Sequence, residues 1–210
     1  MPSPADARRT DAPDFAELLG GPLGMAETSL PAVVFIGSYA ISGSDTDTAA
    51  LLAVGVALVL ATARLVRRES PRHALTGLVG VAFAAFVAAR SGKAENFFLP
   101  GLLANAAYAT ALLVSIAVRR PLVGVIVGHL DGEGDRWRAD PRRVKAFVRA
   151  TWLWVSLFAA RLAVQLPLYL AGAVVALGVA RTAMGVPLFA LGIWLTWLLV
   201  RRTPAAAPAP

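Results

Sequence analysis

The sequence contains no cysteine and only two histidines, His73 and His129. Without cysteine the chain forms no disulfide bond, offers no thiolate nucleophile and holds no iron–sulfur cluster through sulfur. Neither histidine has a second histidine or a cysteine at the spacing that metal ligands require. We therefore expect no metal and no other cofactor.

Catalytic signatures are also missing from the chain. The sequence has no glycine-rich phosphate loop, no G-x-S-x-G elbow, no H-E-x-x-H pair and no pair of aspartates within an apolar run. The acidic residues from Asp131 to Asp140 do not follow the spacing of an EF-hand and are interspersed with arginines. We therefore predict a protein that is not an enzyme, with an enzyme acting on lipid as the weakest alternative.

Apolar sequence is what the chain has in excess. Hydrophobic residues make up 57% of its 210 residues, whereas soluble domains have about 45–50%. The excess is gathered in runs, and about 20 helical residues cross a hydrocarbon core about 30 Å thick. This pattern predicts an all-α fold, a polytopic membrane helix bundle of about six transmembrane helices with one or two short interfacial helices. The predicted spans are 25–41, 49–66, 73–89, 97–118, 146–171 and 186–200.

The segments between and around these spans are polar or too short to cross. Residues 121–130 predict a surface-lying or re-entrant helix, and residues 172–185 a short interfacial helix and turn. Asp140 and Pro141 form a typical helix cap and first turn, so we expect the long fifth helix to begin there. Residues 1–24 and 203–210 are expected to be disordered tails on either side of a transmembrane domain over residues 25–202.

Small residues recur at helical spacing in the second span, at Ala49, Ala53, Ala57 and Ala61. A stripe of this kind lets a neighbouring helix approach closely. The alternative is that it only reflects an alanine-rich composition. Proline 31, in the first span, is expected near the start of its helix, where proline is tolerated.

Basic residues are distributed unequally around the spans. With the N-terminus inside and six crossings, sixteen of the 20 lysines and arginines fall on the inside, including Arg119 and Arg120. Only Arg90, Lys93 and Arg181 fall on the outside. The positive-inside rule therefore predicts that both termini are cytoplasmic. Because these charges flank apolar runs, topology explains the net charge of +7 better than nucleic acid as a partner.

The second half of the run from Ala146 to Ala171 contains two strongly polar side chains, Arg161 and Gln165. They are four residues apart and therefore share one helix face. An arginine at the bilayer centre costs about 2.5–3.5 kcal/mol, so we expect it to face other helices or water. One interpretation is a contact with an anion, a lipid headgroup or a substrate. The other is an internal pair, such as Arg161 with a carboxylate, for which Glu27 and Glu95 are the acids near the apolar zone.

A second polar cluster precedes the fourth span. Glu95 and Asn96 are placed to cap that helix, with Pro100 in its first turns and Asn105 about two turns in. The functional alternative has Glu95 and Asn105 facing Arg161 across an outward-facing polar cleft.

Four segments resemble the actinobacterial multi-pass membrane family known as domain of unknown function 3159. They are 27–31 (ETSLP), 90–100 (RSGKAENFFLP) followed by Asn105, 120–124 (RPLVG) and 161–169 (RLAVQLPLY). The resemblance covers about residues 25–202 and implies a membrane protein of unassigned function. A fainter similarity to the intracellular septation protein A family lies in 30–35 (LPAVVF), in the basic-Pro-Leu after the fourth span and in a tryptophan-rich span after a basic linker. That similarity implies a role in septation or elongation.

Besides an enzyme acting on lipid, two classes of function remain open. The first is a non-enzymatic cell-envelope protein of the bacterial plasma membrane that organises lipids, other envelope proteins or copies of itself. The second is a small transporter or channel subunit with Arg161 and Gln165 on the path of a polar solute. A bacterial source is indicated by arginine outnumbering lysine eighteen to two, which is typical of GC-rich genomes.

Overall fold

The computed structural model describes residues 21–43, 45–68, 71–132 and 134–201, and their side chains except at 21–28, 71–74 and 201. Within these residues the chain is all-α, as predicted. The α-helices are α1 (Gly21–Ile41), α2 (Thr46–Val66), α3 (Pro71–Ser91), α4 (Leu99–Ala117), α5 (Leu122–Leu130), α6 (Pro141–Leu170), α7 (Val174–Ala183) and α8 (Val186–Arg201). Short 3₁₀ helices at Ala94–Phe98 and Arg136–Ala139 precede α4 and α6. The predicted C-terminal tail and most of the N-terminal one lie outside the described residues.

The chain divides into two compact units, Met1–Ala85 and Phe86–Pro210. In the first unit, α1 packs against α2. Helix α1 begins four residues before the predicted span, so Pro31 lies inside the helix and the expectation that it is near the start was wrong. Asp45 is the N-cap of α2, and its carboxylate accepts from the backbone N–H of Asp47 and the hydroxyl of Thr48. These hydrogen bonds, chiefly that from Thr48, hold the pKa of Asp45 below its ordinary value.

The surface of α2 has small residues inside and large ones outside. Its alanine stripe at 49, 53, 57 and 61 is buried, so the stripe serves helix packing. Leu51 and Val59, by contrast, are 74% and 68% exposed. A water-soluble fold would bury those large side chains to remove them from solvent. The arrangement is the one expected of a helix whose outer face meets lipid and whose inner face meets another helix.

Helix α6 is the centre of the second unit and packs against α4, α5, α7 and α8. Its 30 residues include the predicted fifth span except for Ala171, which is the C-cap of the helix. It begins as the sequence predicts, with the Asp140 carboxylate accepting from the backbone N–H of Arg142 at 2.8 Å and with Pro141 at the first helical position. Near its middle, the Trp154 indole N–H donates to the Thr196 hydroxyl of α8 at 3.0 Å.

The predicted short helices are present. Residues 122–130 form the nine-residue α5, and 174–183 form α7. Helix α5 is held by a core cluster of Val123, Trp137, Phe147 and Ala150. The rings of Trp137 and Phe147 meet edge to face, with centroids 5.1 Å apart. This cluster joins α5 and the second 3₁₀ helix to the start of α6, so both short elements are folded against a long helix.

Four helical stretches of the described residues are long and apolar enough to cross a membrane. These are Thr46–Val66, Ala94–Ala117, Pro141–Leu170 and Val174–Val200, the last combining α7 and α8. Ser29–Ile41 and Leu75–Ser91 are shorter apolar helices. Four of the six predicted spans therefore correspond to candidate membrane helices, and crossing by the first and third spans stays a prediction.

Candidate functional site

The polar face of α6 consists of three side chains at intervals of four residues, Arg161, Gln165 and Tyr169. This spacing places them in a row along one side of the helix. Gln165 is buried, with 1% of its surface exposed, and Arg161 is partly buried. The sequence-based prediction that Arg161 and Gln165 face the protein interior is consistent with this placement.

The partner of Arg161 is a backbone carbonyl. Its Nε–H donates to the carbonyl oxygen of Met184 at 2.8 Å. Met184 is the residue that ends α7, where carbonyl groups lack a helical partner. Arg161 therefore caps the C-terminus of α7, across 23 positions in sequence. A cation at this end of a helix is also favoured by the helix dipole.

The predicted carboxylate partner is not found among the described side chains. No acidic residue of that set forms an ion pair with Arg161, and Glu95 in particular does not. An ion pair between Glu95 and Arg161 is therefore absent from the described residues, and the wider polar cleft of the prediction stays a hypothesis. The side chain of Glu27 lies outside the described residues.

A second arginine, Arg181 on α7, joins the site. Its Nη1 donates to the carbonyl oxygen of Phe98 at 3.4 Å, and its Cζ lies 5.7 Å from the centroid of the Phe98 ring. The Met184 carbonyl that binds Arg161 lies three residues after Arg181, at the end of the same helix. Sequence reasoning counted Arg181 as an outside loop charge. The available signal was its position in an apolar helix, VVALGVARTA, that continues into α8 after a two-residue turn.

The close approach of Arg181 to α4 depends on Gly101. A Cβ atom at Gly101 would overlap the Arg181 guanidinium. Asn105 is four residues further on, so it shares the helix face of Gly101 and is half-buried there. No hydrogen bond within the described residues links Asn105 to Arg161. The face of α4 that receives Arg181 is therefore built from a glycine and an amide.

Asn96 has a different role from the predicted one. Its Oδ1 accepts from the Tyr169 hydroxyl at 2.5 Å, and its Nδ2 donates to the Ser91 hydroxyl at 2.8 Å. Helix α4 instead follows directly from the 3₁₀ helix, with Phe98 at its N-cap and no capping side chain. The cap prediction for Asn96 was wrong because 3₁₀ carbonyls satisfy the first amide groups: the Leu99 N–H donates to the carbonyl of Asn96. Pro100 lies in the first turn of α4, as predicted.

The site is strongly cationic and offers no obvious catalytic chemistry. Each guanidinium has five N–H donors, and the described residues accept from one donor of Arg161 and one of Arg181. The described residues also contain no cluster of His, Cys, Asp or Glu able to hold a metal ion. What the arrangement can do is hold a negatively charged group.

The fold indicates a multi-pass helical membrane protein with four candidate membrane helices, and its second unit contains the site of Arg161 and Arg181. A family model described as "Protein of unknown function (DUF3159)" matches residues 19–207. The chain belongs to this family, as its motifs indicated. No curated protein and no solved structure matches the chain, and nothing supports the resemblance to the septation protein A family.

Proposed function

We propose that this protein is a non-enzymatic membrane protein of the bacterial plasma membrane that organises the cell envelope by binding partners or lipids. Its binding site is the arginine pair, Arg161 and Arg181, which holds an anionic group of the partner. The supporting observation is that both guanidiniums are held by backbone carbonyls and neither is paired with a carboxylate of the described residues.

Charge balance argues for such a ligand. Two positive charges close together, both removed in part from water, repel each other and lose hydration. A backbone carbonyl satisfies one donor of each group but supplies only a partial negative charge. Buried charges in membrane proteins are normally paired, and such intramembrane groups mark functional sites. A bound anion would supply the missing countercharge.

The expected topology predicts on which side of the membrane the site lies. In the six-crossing arrangement, Arg181 and the 90–98 segment face outward, whereas most basic residues face inward. The site would then face the envelope rather than the cytoplasm. Membrane lipids and envelope proteins are the partners expected there, and nucleic acid is not.

A pull-down in gentle detergent tests this function. The tagged full chain is compared with the double variant Arg161→Gln/Arg181→Gln and with the control Arg90→Gln, which removes an exposed charge from the predicted outside segment. We expect the wild type and Arg90→Gln to retain the same envelope proteins or lipids, because the site is intact in both. The double variant should lose them. Equal recovery by all three chains would contradict the proposal.

Transport of an anion is the second candidate, favoured by the incomplete burial of Arg161. A guanidinium that is reachable but deep in a span is suited to a solute path. Flux in proteoliposomes separates the two functions: a transporter loses flux with Arg161→Leu while it remains folded. An organising protein shows no flux with either chain.

A further inference from the structure

Arg161 and Arg181 both lie near the C-terminal end of α7, which Arg161 contacts from α6 and which carries Arg181 itself. Arg161 extends from α6 to the end of α7, where its Nε–H binds the Met184 carbonyl. Its Nη2 lies 3.9 Å from the Cβ position of the adjacent Gly185, so its terminal nitrogens run along the α7–α8 turn. Arg181 starts on the last turn of α7 and extends to Phe98 and Gly101. Both guanidinium groups therefore lie at the ends of helices. Most of their N–H donors have no acceptor among the described residues.

The local backbone adds to the positive potential. Gly101 is in the first turn of α4, at the end where the helix dipole is positive. Placing a guanidinium against this turn is electrostatically unfavourable unless an anion is also present. The stacking of Arg181 on the Phe98 ring holds the fork in place without satisfying its N–H groups. The Arg181 guanidinium is thus fixed in position but has no negatively charged partner among the described residues.

We propose that Arg161 and Arg181 together bind a phosphate group, carried by a lipid headgroup or present as free phosphate. This inference rests on the proposed function and names the ligand class of its site. A carboxylate has two oxygens, which one bidentate arginine already occupies. Phosphate has more acceptor oxygens and a higher charge, so it accommodates two forks at once. Two adjacent guanidiniums therefore fit phosphate better than carboxylate.

The test uses the full chain in a maltoside detergent, which has no phosphate. Native mass spectrometry counts bound short-chain phosphatidylglycerol, with diacylglycerol as the lipid lacking phosphate. For the free ion, the temperature of thermal unfolding is compared in inorganic phosphate and in chloride at the same ionic strength. Binding of the lipid alone assigns a headgroup, and a shift with inorganic phosphate as well assigns a site open to the free ion. Both results support the proposal. If neither the lipid nor inorganic phosphate binds, the proposal is overturned.

Variants show whether the binding belongs to this site. Arg161→Gln and Arg181→Gln should each weaken phosphate binding roughly tenfold or more, since each removes charge-assisted hydrogen bonds. Arg181→Lys keeps the charge but not the fork, so an intermediate loss is expected, and it keeps the test valid if Arg181→Gln fails to fold. Arg90→Gln should bind within about twofold of the wild type, because an exposed charge contributes little.

Three results would overturn the inference. The first is unchanged phosphate binding by Arg161→Gln and Arg181→Gln. The second is an equal loss with Arg90→Gln. The third is coupling between Arg161→Gln and Glu27→Gln in a double-mutant cycle of thermal stability, which would identify a carboxylate of the chain as the countercharge. If phosphate does not bind but the pull-down still depends on both arginines, the proposed function stands with another anion.

Discussion

At the scale of single residues, the polar face of α6 is held by two hydrogen bonds, from Arg161 to the Met184 carbonyl and from Tyr169 to Asn96. Arg161 and Gln165 stand four residues apart in an apolar run. Helical spacing and the free-energy cost of an arginine within the bilayer were therefore enough to find them. The partner of Arg161 is a backbone carbonyl, Met184, 23 positions away. Every residue has a carbonyl, so side-chain identity contains no signal for this contact. Arg181 was missed as a member of the site because its short helix was predicted to lie at the membrane interface, where a single charge needs no partner.

The hydrogen bond from Tyr169 to Asn96 can be tested by removing one hydroxyl. Tyr169→Phe keeps the ring but loses the donor, and we expect the free energy of unfolding to fall by about 0.6 kcal/mol, the average for such bonds in a membrane protein. Thermal unfolding in detergent measures the change. Tyr108→Phe is the matched control, since Tyr108 is 57% exposed and its ring contact with Phe158 survives. A larger effect at Tyr108 than at Tyr169 would contradict the assigned role.

At the scale of helices, the predicted order was largely confirmed and the boundaries that depend on tertiary contacts were not. The cap at Asp140, the nine-residue α5 and the alanine stripe of α2 follow from local chemistry, and all are present. The 3₁₀ helix at Ala94–Phe98 was not predicted. Its Asn96 and Phe98 bind α6 and α7, so this turn is fixed by distant residues.

The attachment of α5 depends on a glycine. A Cβ at Gly128 would lie 2.6 Å from Trp137 Cδ1 and would also meet the carbonyl oxygen of Gly134, whose N–H binds the Gly128 carbonyl at 2.8 Å. Because backbone is in the way, we expect Gly128→Ala to destabilise the protein by about 1–3 kcal/mol. Thermal unfolding measures the loss.

Gly55 provides the matched control for this substitution. It lies in α2, and nothing is within 4 Å of its Cβ position. Gly55→Ala should leave stability unchanged or raise it by up to about 1 kcal/mol, through helix propensity. A Gly128→Ala protein as stable as Gly55→Ala would contradict the close packing of α5.

At the scale of the whole molecule, composition predicted an all-α membrane protein, and the described residues agree. Many large apolar side chains are exposed on the helices while many alanines are buried, which is the pattern expected of helices that face lipid. The number of crossings is harder to predict, because two criteria give different numbers. The distribution of basic residues assigns a crossing to every helix that separates two sides, whereas helix length assigns one only to a long apolar helix. Six crossings follow from the first criterion and four candidates from the second.

We propose that the chain crosses the membrane six times and that the site of Arg161 and Arg181 faces outward. Because the chain has no cysteine, single cysteines can be introduced without background. Arg67→Cys and Lys93→Cys lie on exposed residues on either side of α3. Labelling of intact cells with a membrane-impermeant maleimide should modify Lys93→Cys from outside and Arg67→Cys only after lysis. Labelling of both positions from the same side would show that α3 does not cross the membrane, and it would contradict the six-pass topology.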